Sequence, residues 1–158
     1  MLKTFAVFTT LALCLTPPAL AQLLSYDEIL GNLSGDWAVP FEEEGSDDLV
    51  TDCARWRIAI SIESREDSLW YVAEHRGAVV KNPEPHEQPV EQGTHAGGIP
   101  LPALFIEYEN ETRLDPEGNP VSWLLLMYDK DSFVWSATHW NLKGTTPVRT
   151  RCETVAGF

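Results

Sequence analysis

The stretch Arg55-Trp56-Arg57-Ile58-Ala59-Ile60-Ser61-Ile62 puts Trp56, Ile58, Ile60 and Ile62 on one side and Arg55, Arg57, Ala59 and Ser61 on the other. A period of two is that of a strand with one buried face. Outward from it, shorter alternating or β-branched and aromatic runs recur at Ser68 to His75, Ala103 to Glu109, Val121 to Tyr128, Phe133 to Trp140 and Val148 to Glu153. Gly35 to Phe41 makes a first strand, and Ala78 to Lys81 is an optional short extra one. The joints carry turn chemistry: Ser64-Arg65-Glu66-Asp67, Asp115-Pro116-Glu117-Gly118-Asn119-Pro120, Asp129-Lys130-Asp131 and Lys143-Gly144-Thr145.

Before these strands there is room for one helix. Ser25 stands three residues ahead of Glu28, and Leu24 and Ile29 flank it as a hydrophobic staple, so a short helix from about Tyr26 to Leu33 is expected. Seven or eight strands joined by short turns suggest an antiparallel meander. A meander must hide its edges, so closure into a barrel is the all-β architecture expected, with a two-sheet sandwich as the alternative. The segment 76–102 breaks the pattern. It holds Pro83, Pro85, Pro89, Pro100 and Pro102 with few apolar residues, and reads as one long Pro/Gly-rich loop.

The ends of the chain point to export. Lys3, the apolar run from Phe5 to Leu15, Pro17-Pro18 and Ala19-Leu20-Ala21 have the form of a secretory signal peptide over residues 1–21, cleaved before Gln22. One domain, residues 22–158, then remains, with no transmembrane segment expected in it. Of the three cysteines only Cys53 and Cys152 survive cleavage, and in a periplasmic or secreted protein an even pair reads as a disulfide. Such a bridge, closing a loop of roughly 100 residues, is worth up to about 4.7 kcal/mol in the chain-entropy model.

Charge excludes some partners. With 24 acidic against 11 basic residues the formal net charge is −13, which disfavours nucleic acid, because binding it needs a basic patch. Six of the acids, Glu42, Glu43, Glu44, Asp47, Asp48 and Asp52, fall in one loop that could solvate the chain, receive a basic partner or bind calcium, although the spacing is not that of an EF-hand. There is no G-x-S-x-G, P-loop, C-x-x-C or H-E-x-x-H, so no catalytic residue, cofactor or metal ligand is assigned.

A ligand mouth is the sharper expectation. His75 shares a strand face with Leu69, Tyr71 and Ala73, and His139 shares one with Phe133, Trp135 and Ala137. If the strand count places both histidines at one end of a barrel, Trp56, Tyr71 and Trp135 line a cup with His75 and His139 at its rim. Rim histidines without a ligand are the plainer reading.

The capped helix leading into Gly35-Asp36-Trp37 and then a β-meander resembles the start of a lipocalin-type, or broader calycin, barrel. The resemblance implies that Trp37 packs at the closed end with a late basic residue, Arg149 or Arg151, stacked across its ring. The family's middle Thr-Asp-Tyr motif has no clear counterpart beyond Tyr128-Asp129, and no C-terminal helix follows. Small bacterial inhibitors of secreted metalloproteases share the general barrel and a similar G-x-W. Two functions follow: an exported, monomeric, non-catalytic barrel binding a small, partly apolar molecule, or a module binding a secreted protein such as a protease. A hydrolase or isomerase using His75 or His139 is the third.

Overall fold

The computed structural model describes residues 23–43, 45, 47–78, 85–94, 98–140 and 142–152. The expected leader and all but Ala78 of the optional strand Ala78–Lys81 lie outside the described residues.

The first element is α1, Tyr26–Asn32. Its start is the expected capping box: the Ser25 hydroxyl accepts from the Glu28 amide, and the Glu28 carboxylate accepts from the Ser25 amide at 2.8 Å. Ile29 and Leu33, on one side of this short helix, are fully buried.

Ten strands follow among the described residues: β1 (Gly35–Ala38), β2 (Phe41–Glu42), β3 (Leu49–Val50), β4 (Arg57–Arg65), β5 (Ser68–Arg76), β6 (His86–Thr94), β7 (Pro100–Glu107), β8 (Ser122–Asp129), β9 (Ser132–Ala137) and β10 (Arg149–Arg151). Eight of them close into an antiparallel barrel in the order β1-β10-β9-β8-β7-β6-β5-β4, with β4 paired back to β1. This closed meander is compatible with a calycin-like fold and excludes the two-sheet sandwich. The pair β2–β3 stands apart as a small hairpin. It splits the expected first strand because Pro40, which offers no amide to a ladder, follows the last paired residues of β1.

The fourth barrel strand corrects the reading of 76–102 as one loop. His86–Thr94 is a full strand, opposite β5 from His86↔Ala73 to Val90↔Leu69 and opposite β7 from Val90↔Ile106 onward. Its side chains are polar apart from Pro89 and Val90, with none at Gly93, so no hydrophobic alternation marks it; backbone pairing on both sides holds it instead. Pro89 is tolerated because the pairing with β7 begins at the residue after it.

Since consecutive barrel strands are antiparallel, connections alternate between the two ends. At one end β4–β5 and β8–β9 are joined by only two residues each, 66–67 and 130–131. At the other end lie the longer connections between β1 and β4, β5 and β6, β7 and β8, and β9 and β10. The short-loop end is plugged. Trp37 is fully buried, donates from Nε1 to the Leu33 carbonyl at 2.8 Å, and meets Phe133 edge-on at 4.8 Å between centroids.

Arg151 seals this plug from β10. Its guanidinium carbon lies 4.2 Å from the Trp37 ring centroid. The same group donates to the carbonyls of Lys130 and Ser34, at 2.7 and 3.0 Å, and to that of Asn32. Gly35 is required beside it: its φ is +140°, and a Cβ there would fall 2.5 Å from the Arg151 Nη1. Cys53 and Cys152 are disulfide-bonded with Cα atoms 5.9 Å apart. The bond ties the residue after β10 to the turn before β4, the two strands that flank β1.

Candidate ligand-binding site

Inward residues change character along the barrel. Near the plug they are apolar, with Leu125, Met127 and Phe133 fully buried. Towards the long-loop end the same inward rows supply Tyr71, His75, Trp123 and Trp135, and the packing opens into a cavity of about 470 Å³. That volume is within the ordinary range for small-molecule sites. Ile58, Ala73, Gln88, Tyr108, Glu111, Arg113, Thr146 and Arg149 complete much of the wall.

Aromatic rings fix the shape. Tyr71 meets Trp135 edge-on at 5.8 Å, and Tyr108 lies at 6.3 Å from the same indole. Burial pushes the phenol of Tyr71 well above its ordinary pKa and that of Tyr108 up to about 12, so both are neutral hydrogen-bonding groups at physiological pH. On the mouth, Glu111 accepts from the Arg113 guanidinium at 2.5 and 2.7 Å and from Trp123 Nε1 at 2.8 Å. The Arg113 bonds, with that of Trp123, bring its carboxyl down to about 2. Arg113 in turn covers the Trp123 ring at 4.4 Å.

Of the residues expected at the mouth, Tyr71, His75 and Trp135 line the cavity. Trp56 does not. It stands just before β4, where it packs on Phe41 of β2 and donates from Nε1 to His75 Nδ1 at 3.2 Å. It therefore orients a lining residue from outside, and the acidic β2–β3 hairpin is joined to the mouth through it. His75 cannot accept this bond while protonated on Nδ1, and burial, His86 and Arg149 all lower its pKa, so it is held as the neutral imidazole.

His139 is also displaced from the expected place. The strand anticipated as far as Trp140 ends at Ala137, where pairing with Trp123 of β8 stops, and His139 sits in a single 3₁₀ turn, Thr138–Trp140. Its ring stacks edge-on to Trp140, outside the lining, and its buried Nδ1 has no hydrogen-bond partner. His75 instead has His86 beside it, 5.9 Å away.

The two candidate arginines divide the roles that the resemblance left open between them. Arg151 covers Trp37, as described; Arg149 does not. It turns into the cavity, half-buried, with Nη1 donating to Thr146 Oγ1 at 3.1 Å and its guanidinium carbon 5.8 Å from the Phe133 ring. Tyr71 and Tyr108 are near enough for their ionisation and that of Arg149 to bias one another. Among the described residues no cluster of three histidine, cysteine or carboxylate side chains is arranged to hold a metal ion, and no helix is long and apolar enough to cross a membrane.

Sequence reasoning missed Tyr108, Glu111, Arg113 and Trp123. Trp123 was recoverable, being in step with Leu125 and Met127 on β8, and so was Tyr108, in step with Leu104 and Ile106 on the run Ala103 to Glu109; Glu111 and Arg113 lie in the β7–β8 connection, whose course no periodicity fixes. Comparison with protein-family models, curated proteins and solved structures finds no match to this chain.

Proposed function

We propose that this is an exported, lipocalin-like binding protein that holds a small, partly apolar molecule in the open end of its barrel and performs no chemistry on it. The observation that carries the reading is the cavity of about 470 Å³ walled by Tyr71, Tyr108, Trp123 and Trp135. A barrel built only for stability would fill that volume, since each void forfeits packing energy. The Cys53–Cys152 bond supports an oxidising compartment, in keeping with removal of residues 1–21 as a leader. A protein-binding role has one observation in its favour: Leu49, Leu114 and Val148, three of the large apolar side chains left exposed, all lie in connections at the mouth.

The test is to fill the cavity. Ala73 is 1% exposed and lines it. Titration calorimetry and tryptophan fluorescence with fatty acids, retinoids and haem are expected to find a binder whose affinity falls at least ~10-fold in Ala73→Leu, for about 1.4 kcal/mol of lost contact. A flat response across the panel in the unaltered protein defeats the reading; retained capture of a secreted protease by Ala73→Leu would favour the protein-binding role instead.

A further inference from the structure

The arginines of this chain are treated alike with one exception. Arg55 meets Glu43, Arg57 meets Asp36, Arg65 meets Glu63 and Glu87, Arg76 meets Glu74, Arg113 meets Glu111 and Arg151 meets Asp131, all within ion-pair distance. Arg149, which projects into the cavity, meets no carboxylate among the described residues. In a chain with 24 acidic residues an acid beside it would be easy to supply. Withholding one from a half-buried guanidinium carries a cost, because a charge drawn partly out of water needs a partner.

The surroundings of Arg149 are donors and neutral groups. One Nη is spent on Thr146 Oγ1, which leaves most of the five N–H donors of the fork. The Tyr71 and Tyr108 phenols are nearby and stay protonated. Glu111 also lines the cavity, but its two oxygens are taken by Arg113 and Trp123. What is missing is a planar anion that accepts two parallel hydrogen bonds.

Resting on the binding-protein reading above, we propose that the ligand is a monocarboxylate that enters head first, its carboxylate held by the Arg149 fork beside Tyr71 and Tyr108 and its apolar body against Trp123 and Trp135. Depth sets the direction: Arg149 lies over Phe133, which rests on the Trp37 plug, whereas Trp123 and Arg113 are at the mouth. Charge sets the headgroup. Among the described residues Arg149 supplies one uncompensated positive charge, Arg113 is neutralised by Glu111, and no lysine lines the cavity, so a phosphate dianion would leave one negative charge unmatched inside a strongly acidic protein.

Calorimetry on the disulfide-bonded protein with decanoate and 2-naphthoate, each against its alcohol, and with decyl phosphate, tests this. The expected result is that at least one acid binds ~10-fold or more tighter than its alcohol, as a charge-assisted pair requires. Arg149→Gln removes that difference, and Arg149→Lys, which keeps the charge but not the fork, restores part of it. Acid and alcohol binding equally to the unaltered protein, or decyl phosphate binding more tightly than decanoate, overturns the proposal and leaves the binding reading standing. Silence from every probe overturns both. The acid-to-alcohol ratio needs no variant, so a variant that fails to fold does not spare the proposal.

Discussion

Arg149 and Arg151 stand two residues apart on the same short strand, and their surroundings could hardly differ more. Arg151 is committed: an indole face, three backbone carbonyls and Asp131 use its charge and its fork. Arg149 makes one bond to a neutral hydroxyl inside a cavity. The same contrast separates the two ends of the barrel, one closed by a tryptophan, a helix and short turns, the other left open by long connections. The same residue type is thus spent on stability at one end and kept available at the other.

The largest expected effect comes from breaking the committed arginine. Arg151→Met removes a cation–π contact and the donors that serve the carbonyls of Asn32, Ser34 and Lys130, which join the end of α1 to the β8–β9 turn. Roughly 1 kcal/mol for the stacking and about 1 for each of two or three hydrogen bonds make a loss of about 3 to 4 kcal/mol. Urea unfolding should show the midpoint fall with an unchanged slope. A shift below about 1 kcal/mol would mean that Trp37 and the helix close the barrel unaided.

The next effect is acid-dependent and belongs to the open end. The Glu111 carboxyl titrates at about 2 in the fold, against 4.5 when unperturbed. A depressed folded pKa contributes stability that is complete above about pH 4.5 and is lost as the pH falls towards 2. The full shift corresponds to about 3 kcal/mol, and exposure of the partner Arg113 screens this to roughly 1 to 2. Urea unfolding between pH 6 and 2 should therefore show a falling stability that flattens in Glu111→Gln. Acid should also alter the environment of Trp123 before that of Trp37, since the Trp123 indole donates to the Glu111 carboxylate itself whereas the Trp37 indole donates to a backbone carbonyl, which does not titrate. Simultaneous change of the two tryptophans, read in single Trp→Phe variants, would contradict the division between the ends.

Legibility in the sequence follows the same division. The plugged end was readable because local rules write it. Ser25 and Glu28 announce the helix and the alternation of Ile58 and Ile60 announces the wall, while the plug at Trp37 was implied by the resemblance of Gly35-Asp36-Trp37 to the opening of a lipocalin-type barrel. Cys53 and Cys152 could be paired by elimination. The strand His86–Thr94 was not readable, since its stability lies in ladders to β5 and β7 rather than in its own side chains. The open end was half-readable: Tyr71, His75 and Trp135 follow from period two on regular strands. His139 falls outside the lining because β9 ends two residues before it, a boundary set by where β8 stops pairing. Choosing between Arg149 and Arg151 required the register of β10 against β1, where Arg151 falls opposite Trp37.

The smallest effect is the most discriminating, because its sign is opposite to intuition. Arg149→Met deletes a half-buried charged residue, which in a structural role would be destabilising by about 2 kcal/mol or more, as breaking an ion pair shielded from water is. Among the described residues Arg149 has no hydrogen-bond partner to orphan beyond the Thr146 hydroxyl, which already bonds the Trp135 amide at 3.0 Å. Burial lowers its basicity, so the folded state holds the charge at a cost. Replacing it with an apolar chain of similar length removes that cost and adds contact with Phe133. The expected outcome is a gain of about 1 kcal/mol in unfolding free energy, the usual size for relieving a functional strain. For a domain of this size that is roughly 2–4 °C in Tm, measurable by calorimetry. A loss of stability of 2 kcal/mol or more would show that Arg149, like Arg151, is there to hold the barrel together.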